Sequence, residues 1–141
     1  MREYPKWSEL PEIDLYLDQV LEYVNNLHSP IMLKNDKGLT SAMINNYVKN
    51  HYVDKPIKKK YSRRQLARLI VITYLKNVFS IQEISKTLTM LTKNDKSEIM
   101  YNNFVACMNG EDTDEIPIVI KSACATVKLY EQTLELADEL K

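Results

Sequence analysis

Glycine is almost missing from this chain: 141 residues hold 2 Gly and 5 Pro. An all-β protein of this length needs many more turn residues, so helix is expected to dominate. Cysteine is equally sparse. Cys107 and Cys124 stand far apart, with no CxxC and no histidine beside them, so neither a zinc site nor a disulfide framework is expected. His28 and His51 are isolated as well and are not read as ligands. There is no glycine-rich phosphate loop, no HExxH and no paired nucleophile and base, so no enzyme activity and no cofactor are expected. The longest mostly apolar run, Leu69 to Leu75, falls far short of the roughly 20 residues that cross a bilayer. The opening MREYPKW lacks the apolar stretch of a signal peptide, so a cytoplasmic protein with no membrane partner is expected.

What the chain has is charge, unevenly placed. The formal net charge is zero, yet residues 1–27 hold 2 basic and 6 acidic side chains, residues 28–77 hold 11 and 2, and residues 78–141 hold 6 and 11. A basic block of that density repels itself, and scattered Lys and Glu would give solubility without that cost. A polyanionic partner accounts for it.

Helical spacing of Ile13, Leu17, Val20, Leu21, Val24 and Leu27 predicts an amphipathic helix over residues 12–27, opened by Pro11. HSPIMLKNDKG then breaks the pattern. Thr40 is placed to cap a second helix, SAMINNYVKN, with an apolar stripe of Ala42, Met43, Ile44, Tyr47 and Val48. Pro56 and three successive lysines make VDKPIKKKY a basic loop or small wing. Ser62 caps a long helix whose apolar width around Leu66, Leu69, Ile70, Ile72 and Leu75 predicts burial on most sides. Capping boxes are read at Ser80/Glu83 and at Asp95/Glu98, with Gly110 closing the helix that follows the second box. Pro117 starts a last helix. Ile120, Val127 and Leu134 repeat there every seven residues, with Ala123, Tyr130 and Ala137 three places on. Such an a/d seam fits either a homodimer interface or a helix packed back on its own domain.

Four features of residues 40–64 point together to double-stranded DNA. Thr40 and Ser41 open a helix whose terminal amides can meet a phosphate. Asn45 and Asn46 sit in mid-helix, each costing about 0.7 kcal/mol relative to Ala, and asparagine pairs with adenine N6 and N7 in the major groove. Tyr47, Lys49, Lys58, Lys59, Lys60, Tyr61, Arg63 and Arg64 supply charge and hydroxyls of the kind that hold a phosphate backbone. For the two tyrosines a place in the core is the competing reading.

LTSAMINNYVK, KPIKKKYSRRQLARLIVITYLKNVFSIQEI and the opening WSELPEIDLYLDQV resemble the bacterial domain-of-unknown-function family 1836. A second resemblance is to MerR-type regulators. Their recognition helix aligns with Met43 to Lys49, keeping residue type at Ile44, Tyr47 and Lys49 and departing at Asn45 and Asn46. Their next two helices align with Tyr61, Ser62, Leu66, Leu69 and Ile72 and with Ser80, Ile81, Glu83 and Ile84. The loop before Thr40 is longer and the wing shorter than in that family, and no cysteine cluster or aromatic sensor pocket is visible. These likenesses imply an all-α, MerR-like helix-turn-helix domain over 1–92 and a helical C-terminal extension over 93–141. The function expected is transcriptional regulation through DNA. The alternative is a protein-interaction adaptor that uses the basic middle.

Overall fold

The structure, a computed structural model, describes residues 3–27 and 38–141. His28 and nearly all of the break after the first helix lie outside the described residues. A 3-10 turn, Trp7–Glu9, precedes a short strand β1 (Leu15–Tyr16) and helix α1 (Leu17–Leu27). Helix α2 (Ser41–Lys49), strand β2 (Lys60–Tyr61) and helices α3 (Arg63–Leu75), α4 (Ile81–Leu91), α5 (Ser97–Met108) and α6 (Ile118–Asp138) follow.

Helix α3 is the centre. A capping box starts it: Ser62 Oγ accepts from the Gln65 amide, and Gln65 Oε1 accepts from the Ser62 amide at 2.6 Å. Ten of its 13 residues are buried, and α1, α4, α5 and α6 all pack on it. Leu69, Ile70 and Ile72 are completely shielded, each contributing about 1.5–3 kcal/mol through burial. The N-terminal arm runs along α5, held by side chains that stand in for a strand. Asn109 accepts from the Tyr4 amide at 2.8 Å and donates to the Tyr4 carbonyl at 3.1 Å, while Asn102 accepts from the Trp7 amide and the Tyr101 hydroxyl donates to the Pro5 carbonyl. Tyr74 joins three parts of the chain. Its ring meets Tyr4 and Phe104 edge-on, and its hydroxyl donates to the Glu131 carboxylate of α6. Burial first, and the carboxylate beside it, hold that phenol well above its ordinary range.

Several expectations meet their counterpart directly. Thr40, Ser62 and Ser80 are N-caps, and Pro117 stands at the N-cap of α6. Gly110 adopts a positive φ of 93° and closes α5, with Gly110 and Glu111 amides returning to the Cys107 and Ala106 carbonyls.

Others need correction. The chain is mostly helical rather than all-α, because β1 and β2 pair antiparallel with Leu15 opposite Tyr61 and Tyr16 opposite Lys60. The first helix begins at Leu17, not residue 12, since β1 takes the preceding residues into the sheet and leaves Ile13 71% exposed. The Asp95/Glu98 capping box is absent. Asn94 and Asp95 take left-handed φ values of 60° and 61°, and Lys96 is the cap of α5. In α6 the seven-residue stripe, open to either reading, is turned inward at two of its positions: Ile120 and Val127 are 6% and 0% exposed, packed against their own chain. Ala123, Tyr130 and Leu134 are half-buried and Ala137 is exposed. One hydrophobic core runs from Tyr4 to Val127, crossing the expected boundary at 92/93.

Thr73 Oγ1 is buried without a hydrogen-bond partner among the described residues. Thr73→Val keeps the shape and removes an unsatisfied hydroxyl, so urea unfolding is expected to show stabilisation of about 1 kcal/mol. A loss of that size would mean the hydroxyl is bonded in the folded protein.

Candidate nucleic-acid interface

Helix α2 is fixed at both ends and bare along one face. Before it, the Asn25 side chain of α1 donates to the Leu39 carbonyl at 2.9 Å and accepts from the Leu39 amide at 2.8 Å. Thr40 Oγ1 then accepts from the Met43 amide at 3.2 Å. Ile44 and Tyr47 turn inward at 0% and 7% exposure, and Met43 and Val48 flank them. Ser41, Asn45 and Lys49, spaced four apart, share the opposite face with Ala42 and Asn46, and all five are exposed. The Asn45 and Asn46 side chains make no hydrogen bond among the described residues.

The C-terminus of α2 is closed by a Schellman turn in which His51 occupies the position that favours glycine. Its φ is 63°, its amide reaches the Val48 carbonyl at 3.1 Å, and the Tyr52 amide reaches the Tyr47 carbonyl at 2.8 Å. Two side chains of α3 pin the segment that follows. Gln65 Nε2 donates to the Asp54 and Lys55 carbonyls at 2.8 and 2.9 Å. Arg68 Nε donates to the Tyr52 carbonyl at 2.7 Å, and its other arm reaches Ser85 and Thr89 of α4. Burial pulls the Arg68 guanidinium below its ordinary value, partly opposed by Asp54. Those hydrogen bonds stand in for the lost water.

Beyond Pro56 the lysines form a two-residue hairpin. Ile57 and Lys60 exchange both backbone hydrogen bonds at 3.0 Å, and the central Lys58 and Lys59 take φ values of 52° and 69°. Positive φ at both central residues defines the mirror-image turn usually filled by Asn-Gly. Lys60 continues into β2, where its ammonium stands 5.1 Å from the centre of the Tyr16 ring across the sheet. Between the hairpin, the end of α2 and the start of α3 lies a cleft of about 640 Å³, where Lys49, Lys55, Lys60 and Arg64 outnumber Asp14 and Asp54.

The expected site residues thus divide. Ser41, Asn45, Asn46, Lys49, Lys58, Lys59 and Arg64 are exposed; Thr40, Lys60 and Arg63 are half-buried. Arg63 Nε lies 3.4 Å from the Pro11 carbonyl, and Arg64 pairs with Asp54 at 2.7 Å through two exposed side chains, a screened contact of small worth. Tyr47 and Tyr61 take the competing place in the core, at 7% and 4% exposure. Burial raises the Tyr61 phenol. Lys55 and His51 join the face without having been singled out; a positive φ at His51 leaves no mark in sequence.

The family model described as a domain of unknown function, DUF1836, matches residues 5–104. The chain belongs to the DUF1836 family. Those residues include α2, the lysine hairpin and α3, and end within α5. Among curated proteins and among solved structures, no match is found.

Arg68 carries the most concentrated set of ties behind this face. Arg68→Ala strands the Tyr52 carbonyl and the Ser85 hydroxyl, so a loss of about 2–3 kcal/mol in urea unfolding is expected. A loss under about 0.5 kcal/mol would show that the loop holds its shape without the guanidinium.

Proposed function

We propose that this DUF1836 chain is a DNA-binding regulator of transcription, with α2 entering the major groove and the Lys58–Lys59 hairpin resting on flanking phosphates. The observation that carries the reading is the backbone. His51, Lys58 and Lys59 hold left-handed conformations beside the exposed face of α2. Each costs roughly 1–2 kcal/mol in a residue other than glycine. Local strain of this kind collects at functional sites, and here it sets two lysine side chains at the tip of an exposed hairpin.

The geometry supports each role. Nine residues give α2 a length of about 14 Å, and its exposed face offers Asn45 and Asn46 to base edges. Lys49, Lys55, Lys58 and Lys59 are free of ion pairs among the described residues, as phosphate contacts require. Val48 and Lys49 of α2 line one cleft with Ile57 and Lys60 of the hairpin, so hairpin and helix lie side by side. This arrangement supports the MerR-like helix-turn-helix reading. An acidic protein on the same face is the alternative; it would use the lysines and leave the two asparagines without a purpose.

Replacing the turn with its favoured residues separates strain from function. Lys58→Asn with Lys59→Gly is expected to raise stability by about 1 kcal/mol. The same variant should lose affinity for all duplexes alike, with the salt slope of log K reduced by about 2. Fluorescence anisotropy on a random-sequence duplex at several salt concentrations reads both quantities. An unchanged slope would remove the hairpin from the interface.

A further inference from the structure

At the other end of α3 the helices border an apolar cavity of about 190 Å³ that opens to solvent on one side. Leu75 of α3, Phe79, Leu88 and Leu91 around α4, Phe104 of α5 and Ala123 of α6 face it, with Thr87 and Ser122 supplying hydroxyls. The space exceeds the roughly 150 Å³ of apolar volume known to suffice for benzene. One larger side chain at Ala123, a half-buried lining residue of α6, would fill it. Glu83 also borders the space; one carboxylate oxygen already accepts from the Ser80 amide at 3.0 Å.

We propose that this cavity is a binding site for a small neutral aromatic molecule of one or two rings carrying a single N–H or O–H group. The volume sets the size, the aliphatic and phenylalanine walls set the apolar body, and the Thr87 and Ser122 hydroxyls with the Glu83 carboxylate supply acceptors for the one donor. A charged or highly polar ligand would leave water to meet a wall with few partners. The site lies about 15 Å along α3 from Gln65, the residue that pins the loop behind the basic face. It stands whether or not that face binds DNA, and its test uses none.

Indole is the probe, titrated into the full chain by isothermal calorimetry. Saturable binding of one indole per chain is expected. Ala123→Phe fills the cavity and should weaken indole at least tenfold while thermal melting shows a folded protein. Leu91→Ala enlarges it and should shift preference at least tenfold from indole toward 2-naphthol. If Ala123→Phe does not fold, the Leu91→Ala preference decides alone. No saturable indole binding, undiminished binding in folded Ala123→Phe, or an unshifted preference in Leu91→Ala would overturn the proposal.

Discussion

The near-complete burial of α3 is the constraint on which the rest of the molecule depends. A helix with ten of 13 residues buried needs neighbours on almost every side, and α1, α4, α5 and α6 supply them. Little of the helix is left to meet solvent. Its polar members therefore work inward or at its first turn: Gln65 and Arg68 reach back to the Tyr52–Lys55 segment, and Arg63 and Arg64 stand at the emerging end. The placement of the basic face follows. The loop leaving α2 and the hairpin entering α3 are both set by contacts to one rigid rod.

Against that rigid background, the departures from local preference gather in one place. Asn94 and Asp95 also have positive φ, but these residue types tolerate it in an ordinary turn. Lys58 and Lys59 do so with side chains less suited to the conformation, and His51, of a type that tolerates it better, joins them beside the exposed row of α2. Glycine at these three positions would suit the backbone better. The side chains present are the kind a polyanion recognises, which is why the proposal for DNA rests on this cluster more than on total charge.

Most of the helical frame was legible because its signals are local. Thr40, Ser62 and Ser80 announce helix starts through a single oxygen, and Gly110 announces an end through the conformation it permits. What was not legible depends on distance. Leu15–Tyr16 is too short to show strand alternation, and only its pairing with Lys60–Tyr61 makes it a strand. The seven-residue repeat of α6 identifies an apolar stripe without saying which chain covers it, and Val127 is covered by its own. Asparagine within a helix was a signal with two outcomes. Asn25 carries the same propensity cost as Asn45 and Asn46, yet its side chain anchors Leu39 while theirs face outward. Tyr47 follows Ile44 at helical spacing, so its burial was within reach of the sequence; Tyr61 became buried through the sheet.

The central claim is that the surface formed by α2, the lysine hairpin and the start of α3 binds the backbone of duplex DNA. The direct measurement is the affinity of the unaltered full chain for a random-sequence duplex across a series of salt concentrations. If about four phosphates are contacted, log K should fall linearly with log salt at a slope near −3.6. A duplex that is not retained even at about 50 mM salt, or an affinity indifferent to salt, would contradict the account.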